Sequence, residues 1–320
     1  MLIGPSFNTE GLILLNSLSN SNFMITPPFL QPGDAVGIIS TARKITTKQV
    51  KPLIDLLEEW QLQPVLGMTI NAEDDQYAGD DELRAKDLQQ MLDNPNIKAI
   101  WCARGGYGTV RVVDKLDFSK FKANPKWLIG YSDVTVLHSE IHNLGIRSLH
   151  ANMATEIDTK SAATRTTARK ALFGESLSIS GQSDFPNREG TATGQIVGGN
   201  LSILYSLCGS RSALDTAGKI LFIEDLDEYL YHVDRMMMNI KRNGMLDNIK
   251  ALVVGGMSDM KDNTIPFGKT ANEIVWDAVK DCDYPVCFGY PAGHISDNQA
   301  MIMGAEATIK VAKDSFEISF

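Results

Sequence analysis

Short apolar runs alternate with helical periodicity along the first half of the chain, from Asp34 onward. Continuously apolar runs predict buried strands, and stretches with a period of 3.6 residues predict helices that cover them. This alternation is typical of an α/β domain with a parallel sheet, in which ligands bind at the carboxyl ends of the strands. The predicted strands lie at residues 35–39, 64–70, 97–102 and 127–131, and the predicted helices at residues 46–60, 80–92, 107–116 and 133–143.

The second half of the chain has a different pattern. A helix is predicted at residues 155–173, and a segment rich in Ser, Gly, Asp and Asn at residues 174–190 indicates a linker or hinge. The strands beyond it are short and separated by turns, which predicts a smaller, mixed, β-rich domain. These strands lie at residues 191–197, 220–223, 249–254, 286–289, 306–311 and 316–318, with helices at residues 201–208, 228–243 and 270–281.

These patterns divide the chain into four parts. The α/β domain occupies residues 24–155, a helix and linker occupy residues 156–189, and the C-terminal domain occupies residues 190–320. Residues 1–23 contain one short apolar run, without a preceding Lys or Arg and without a convincing cleavage site. We interpret them as a poorly ordered tail or an upstream extension of the domain that follows.

Composition excludes several classes of protein. The 320 residues are 43% hydrophobic and 22% charged, as in an ordinary globular protein of two domains. The formal net charge of -9 argues against nucleic acid and anionic membranes as partners, because both select basic surfaces. Four cysteines are too few for a disulfide framework and lack the paired spacing of a zinc site. We therefore expect a cytoplasmic protein without a metal or other cofactor.

The strand predicted at residues 127–131 is followed at once by Ser132 and then by a helix. A serine at a sharp strand-to-helix turn has its hydroxyl exposed above the sheet, beside the free amides of the first helical turn. A serine nucleophile requires this arrangement, although many such serines only cap a helix. Another predicted strand end carries the glycine turn Arg104-Gly105-Gly106-Tyr107-Gly108.

A base and an orienting acid are available in the second half of the chain. His294 lies in a Gly- and Pro-rich loop after an apolar strand, and Glu224 is the first polar residue after four apolar ones. A carboxylate in that position is predicted to be partly buried and to need a partner such as an imidazole N–H. The alternative is that Glu224 belongs to the acidic first turn of the next helix. Together with Ser132, these residues form a candidate catalytic triad.

The other four histidines are weaker candidates. His138 and His142 are four residues apart and share a helix face, which could bind zinc, but no third ligand is identified. A packed or surface position is favoured for both. His150 ends a short strand and fits either a position in the cleft or a structural role, and His232 fits an ordinary helix position.

The motifs that contain Ser132, Glu224 and His294 resemble those of the LD-carboxypeptidase family of serine peptidases, which includes a microcin-immunity branch. The resemblance covers the chain from Pro27 to the C-terminus. It rests on seven motifs in order: Pro28-Phe29-Leu30-Gln31-Pro32-Gly33-Asp34, Ala103-Arg104-Gly105-Gly106-Tyr107-Gly108, Gly130-Tyr131-Ser132-Asp133, Gly198-Gly199-Asn200-Leu201-Ser202, Phe222-Ile223-Glu224-Asp225, Val233-Asp234-Arg235-Met236 and Gly293-His294.

The resemblance implies a triad of Ser132, Glu224 and His294, with the serine in an α/β nucleophile domain and the other two in a smaller C-terminal domain. Members of the family are commonly homodimers. The reaction implied is hydrolysis of the amide between an L-centre and a terminal D-amino acid. An example is release of D-Ala from muropeptide tetrapeptides during cell-wall recycling in the cytoplasm.

The reaction implied by the resemblance requires further site residues. The backbone N–H groups of Asp133 and Gly106 are candidates for an oxyanion hole. Arg104 could pair with the terminal carboxylate of the substrate or brace its own loop. The chain departs from the usual family residues at Ser40-Thr41-Ala42-Arg43 and at His150-Ala151-Asn152, two loops predicted to face the cleft. The remaining candidate substrate-binding residues are Gly105, Tyr107 and His150.

Three other functions compete with this one. The turn at residues 104–108 could cradle a phosphate, but it lacks the Lys-Ser/Thr of a P-loop and the spacing of a dinucleotide fingerprint. A non-catalytic muropeptide-binding protein would not need all three triad residue types. Self-immunity hydrolysis of a peptide–nucleotide antibiotic is the alternative within the enzyme class.

Overall fold

A computed structural model of the protein describes residues 24–320. The prediction of a tail or extension at residues 1–23 lies outside the described residues. In chain order, the strands are Ala35–Ile39 (β1), Gln63–Leu66 (β2), Ile97–Cys102 (β3), Trp127–Gly130 (β4), Ser148–His150 (β5), Ser178–Gln182 (β6), Gly190–Asn200 (β7), Ile220–Leu226 (β8), Ala251–Ser258 (β9), Val286–Cys287 (β10), Met301–Met303 (β11), Glu306–Ala312 (β12) and Ser315–Ser319 (β13).

Several helices begin where a polar side chain caps their free amides. The hydroxyls of Thr46 and Thr270 and the carboxylate of Asp80 each accept a hydrogen bond from an amide of the first turn. Within the described residues, no helix has the length and apolar character needed to cross a membrane. In chain order, the α-helices are Thr47–Glu59 (α1), Asp81–Asp93 (α2), Ser119–Ala123 (α3), Thr135–Asn143 (α4), Ala162–Phe173 (α5), Leu201–Leu207 (α6), Leu230–Arg242 (α7) and Ala271–Val279 (α8).

Two sheets organise the fold. The first sheet has the strand order β11-β5-β4-β3-β1-β2 and is parallel from β5 to β2. The second sheet has the order β10-β9-β8-β7-β12-β13-β6, with β10 to β7 parallel and the remaining neighbours antiparallel. The predicted α/β fold, with a parallel sheet followed by a mixed β-rich one, is confirmed.

Several parts of the chain differ from the prediction. The helix predicted at residues 155–173 begins only at Ala162, after a 3₁₀ turn at Ala154–Glu156, and the short helix α3 was not predicted. The helix predicted at residues 107–116 is wrong, because the segment forms two short 3₁₀ turns at Thr109–Arg111 and Val113–Lys115. There the Thr109 amide donates to the Asp133 carboxylate at 2.8 Å, so tertiary contacts set the local path. Part of the predicted linker forms β6, and β11 returns from the second half of the chain to pair antiparallel with β5.

The two sheets share an apolar core. One cluster of buried side chains includes Trp101 and Ile129 from the first sheet together with Ile220, Phe222 and Val253 from the second. Burial of this apolar surface is the main force that holds the sheets together. It also fixes the end of β4 relative to the end of β8, which come from different halves of the sequence.

The Gly198→Ala substitution is expected to destabilise the fold by about 3 kcal/mol or more, because overpacking and backbone strain add there. Gly198 has φ +127°, and an added Cβ would overlap the carbonyl oxygen of Phe222 on the adjacent strand. The control is Gly218→Ala at φ +71°, where no atom lies within 4 Å of the added Cβ. Thermal unfolding of both variants measures the difference, and equal melting temperatures would contradict the packing argument.

Candidate active site

Ser132 begins a tight turn at the carboxyl end of β4. The strand ends at Gly130, and Ser132–Val134 forms a 3₁₀ turn that leads directly into α4. Ser132 has φ +61°, an uncommon conformation for a residue with a side chain, and is 9% exposed. Such conformations cost free energy and persist where the surrounding structure enforces them, commonly at functional sites. The turn is the strand-to-helix elbow expected from the sequence.

Glu224 and His294 form a hydrogen-bonded pair. Glu224 is the fifth residue of β8 and is fully buried. Its Oε2 atom lies 2.7 Å from Nδ1 of His294 and also accepts the His294 backbone amide at 3.2 Å. These two contacts fix both the ring and the backbone of the histidine. An imidazole held at Nδ1 by a carboxylate keeps its other nitrogen, Nε2, available for proton transfer.

The loop that carries His294 approaches Glu224 very closely. Gly293 has φ +104°, and an added Cβ would lie 2.5 Å from Glu224 Oε2, so only glycine fits there. The Gly293 amide donates to Asn298 Oδ1 at 2.8 Å, and the Ser258 hydroxyl donates to the His294 carbonyl at 2.9 Å. The loop therefore presents the imidazole from a fixed backbone.

Glu224 and His294 each shift the pKa of the other towards its charged form. Burial alone would lower the pKa of His294, but the neighbouring carboxylates, Glu224 foremost, together raise it above its ordinary value. Burial alone would raise the pKa of Glu224, but the charge and hydrogen bond of His294 lower it. Glu224 is thus held as a carboxylate beside an imidazole that accepts a proton readily, as a general base requires.

Ser132 and His294 line the same cavity, which has a volume of about 470 Å³. Four of the other candidates also line it: Arg104, Gly105, Gly106 and Asp133. The guanidinium of Arg104 donates to the Lys44 carbonyl at 3.0 Å, so this side chain braces a neighbouring loop while it faces the cavity. The candidate nucleophile, the candidate base and both candidate oxyanion donors therefore line one cavity.

Two predicted substrate-binding residues lie elsewhere. Tyr107 is 45% exposed, packs near Tyr77 and is not among the cavity-lining residues. His150 is fully buried behind the site, with its ring centroid 5.1 Å from Phe222 and 5.5 Å from Tyr131. Burial lowers the pKa of His150 to about 4, so it is a neutral packed imidazole. Because His150 is fully buried, a substrate in the cavity cannot contact it directly.

The zinc alternative for His138 and His142 does not fit the structure. Nδ1 of His138 lies 2.7 Å from the Ser148 hydroxyl, and Nε2 lies 2.9 Å from the Gly130 carbonyl, so both ring nitrogens are used. Burial lowers the pKa of His138 to about 3 and that of His142 to about 4. His232, on α7, pairs at 2.6 Å with Glu228, which precedes that helix, as an ordinary helix residue would.

Several cavity residues were not predicted. Tyr131 donates a 2.6 Å hydrogen bond from its hydroxyl to Glu156, and Asn200 donates to Asp225 at 3.0 Å. All four line the cavity. Asn200 and Asp225 lie inside motifs quoted for the family resemblance, so the sequence did carry a signal for them. Glu156 stands in no such motif, and only the fold brings it to Tyr131.

Asp225, next to Glu224 in the sequence, is a second buried acid at the cavity. It is 1% exposed, and Oδ2 accepts the Ser202 amide at 2.9 Å. Burial and the neighbouring Glu224 carboxylate raise its pKa to about 7. Two adjacent acids at the end of β8 thus differ in their tendency to ionise, because only Glu224 faces the imidazole directly.

Comparison with known proteins agrees with the fold. Residues 36–151 match the LD-carboxypeptidase N-terminal domain, and residues 193–309 match the LD-carboxypeptidase C-terminal domain. The chain belongs to the LD-carboxypeptidase family, a family of peptidases.

Individual relatives span nearly the whole described chain. A probable murein peptide carboxypeptidase of Bacillus subtilis is 35% identical over 297 residues, covering 90% of this chain and 92% of that protein. The crystal structure of muramoyltetrapeptide carboxypeptidase from Oxalobacter formigenes superposes with a TM-score of 0.81 at 26% identity, covering 89% of this chain and 98% of that one. The microcin C7 self-immunity protein MccF of Escherichia coli is 21% identical over 326 residues, covering 91% of this chain and 94% of that protein.

Proposed function

We propose that the protein is a serine carboxypeptidase that releases a terminal D-amino acid from muropeptides, with D-Ala of a tetrapeptide as the leading substrate. The observation that carries the proposal is the 2.7 Å hydrogen bond between Glu224 and His294 at the cavity that Ser132 also lines. The names of the murein and muramoyltetrapeptide carboxypeptidases to which the chain is similar support the substrate class.

In the proposed mechanism, Nε2 of His294 takes the proton of the Ser132 hydroxyl as the oxygen attacks the scissile carbonyl. The same proton then passes to the nitrogen of the leaving D-amino acid, and water attacks the acyl-enzyme in a second half-reaction. Glu224 accepts the hydrogen bond from Nδ1–H and stabilises the imidazolium formed in each half-reaction. No cofactor is required for these steps.

The developing oxyanion requires donors beside the nucleophile. We assign this role to the backbone N–H groups of Asp133 and Gly106, since both residues line the cavity with Ser132. Each such donor is typically worth about 10²–10³-fold in rate. We assign the terminal carboxylate of the substrate to Arg104, which faces the same cavity.

A peptide assay tests the proposal. Tetrapeptides that differ only in a D- or L-alanine terminus are incubated with the protein, and products are identified by mass. Release of alanine from the D-peptide alone is the expected result. Hydrolysis of a peptide–nucleotide conjugate in place of the tetrapeptide would favour the self-immunity alternative, and binding without any cleavage would favour the non-catalytic one.

We also propose that the protein is located in the cytoplasm and forms a homodimer. All four cysteines are free thiols, which suits a reducing cytoplasm. A homodimer is proposed on the family resemblance alone, and light scattering on the purified protein measures it.

A further inference from the structure

Tyr131, the residue immediately before Ser132, packs against the imidazole of His294. The two ring centroids are 4.7 Å apart and the ring planes are inclined by 51°. Tyr131 is 1% exposed, and its hydroxyl donates to Glu156 Oε1 at 2.6 Å. Glu224 fixes the imidazole at Nδ1, whereas Tyr131 supports the ring itself from the end of β4. The hydrogen bond to Glu156 in turn fixes the outer end of the tyrosine.

Glu156 is connected to the His294 loop by a second path. Nζ of Lys160 lies 3.6 Å from Glu156 Oε1 and donates to the carbonyl of Ile295, next to His294, at 2.6 Å. The side chains of Glu156 and Lys160 are only 21% and 13% exposed. The contacts therefore run from Tyr131 through Glu156 and Lys160 to the backbone beside the base.

The segment that carries Glu156 is itself attached to this loop. The Ser161 amide donates to the Ser296 carbonyl at 3.0 Å, and the Ser161 hydroxyl donates to Asp297. Glu156 also accepts the Met153 amide at 3.4 Å, which closes its own turn. The Glu156 carboxylate is thus held by the Tyr131 hydroxyl, the Lys160 ammonium and the Met153 amide. A carboxylate fixed in this way can hold the side chain of Tyr131 in position.

We propose that Glu156 is a positioning residue which, through Tyr131 and Lys160, holds the His294 imidazole next to the end of β4, where Ser132 lies. The proposal rests on the proposed function, because positioning matters only if His294 acts as the base. Glu156 is assigned no contact with the reacting atoms.

The charge of Glu156 gives the proposal a measurable signature. Three carboxylates raise the pKa of His294 against the effect of burial: Glu224, Glu156 and Asp225. Other titratable neighbours are His150, which is neutral, Tyr131, which is hydrogen-bonded to Glu156, and Lys160, which forms an ion pair with Glu156. Further charged residues line the same cavity: Arg43, Arg104, Asp133, Asp227 and Glu228. Loss of the Glu156 charge therefore lowers the pKa of His294. Catalysis needs the neutral imidazole, so the acid limb of kcat/KM moves to lower pH.

The first test is the Glu156→Gln variant, which keeps an acceptor for the Tyr131 hydroxyl and removes the charge. We expect the acid limb of kcat/KM to move down by about half a pH unit. The matched control is Asp158→Asn, an exposed carboxylate two residues away, for which no shift is expected. An unmoved limb in Glu156→Gln, or a limb that moves to higher pH, would overturn the proposal.

The second test is Tyr131→Phe, which removes one hydroxyl and leaves the ring and the Glu156 charge in place. The loss of this hydrogen bond is expected to lower kcat about fivefold, with KM within about twofold of the original value. If Glu156→Gln does not fold, Tyr131→Phe alone tests the proposal. An unchanged kcat in folded Tyr131→Phe would show that the tyrosine is packing only, and the proposal would then be wrong.

A readout that does not depend on turnover separates this proposal from the proposed function. The protein has five histidines, so the His294 signal in a ¹³C-histidine NMR titration can be assigned with a His294→Gln variant. We expect the His294 pKa to fall in Glu156→Gln even if the wild type cleaves no muropeptide. Absence of peptide cleavage by the wild type would count against the proposed function, and an unchanged His294 pKa would count against the role of Glu156.

Discussion

The Ser132→Ala variant is expected to lose release of D-alanine by about 10⁴-fold or more in kcat, because it lacks the hydroxyl proposed to form the acyl-enzyme. Alanine keeps the Cβ of the serine, so the strained turn at φ +61° is preserved and the fold should be unchanged. Substrate binding should survive, since the hydroxyl is a small part of a cavity of about 470 Å³. The measurement is the rate of D-alanine release, together with substrate affinity by calorimetry.

The matched control for this variant is Ser206→Ala, an exposed serine on α6 whose hydroxyl donates to the Ile203 carbonyl of its own helix. Its activity should equal that of the wild type. Undiminished release of D-alanine by folded Ser132→Ala would show that Ser132 is not the nucleophile. Loss of activity with a large fall in melting temperature would show instead that the turn is structural.

The Glu224→Gln variant is expected to lose about 10³- to 10⁴-fold in kcat. The glutamine has nearly the same shape but no charge, so it no longer stabilises the imidazolium and no longer dictates which nitrogen of His294 carries the proton. The pKa of His294 should fall, because the Glu224 carboxylate is the main group that raises it. Rates measured from pH 5 to pH 9 separate the lost rate from the shifted acid limb.

Glu317→Gln is the control for that change, because Glu317 is exposed on β13 and forms a surface ion pair with Lys310. It should leave both rate and pH profile unaltered. If Glu224→Gln folded normally and kept its rate within tenfold of the wild type, the buried pair would be structural, and another acid would have to orient the base.

Part of the candidate site could be predicted from the sequence, because polar residues that directly follow a buried strand are visible in the local pattern. Glu224 follows four apolar residues, and such a carboxylate must find a donor, so its pairing with an imidazole was foreseeable. Ser132 was identifiable because a buried strand stops abruptly before it. The sequence did not show that Tyr107 and His150 lie outside this cavity, because periodicity places a residue near a strand end but does not say whether its side chain faces the cavity.

Glu156 and its partners could not be predicted in the same way. Tyr131 and Glu156 are 25 residues apart, and Lys160 bonds to a carbonyl 135 residues away. No local pattern records such contacts, since they arise from tertiary packing between segments distant in the chain. The same reason explains β11, a three-residue strand whose pairing with β5 is entirely long-range.

The sequence by itself determined the α/β class, most of the strands and helices, and the residue types from which a serine peptidase can be built. Those properties depend on hydrophobic period, capping and polarity, which act over a few residues. Only the tertiary structure decided which candidates share a cavity and which, like Tyr107 and His150, do not. That outcome depends on how one shared apolar core joins the ends of β4 and β8, and the free energy of that burial comes from residues distant in the chain.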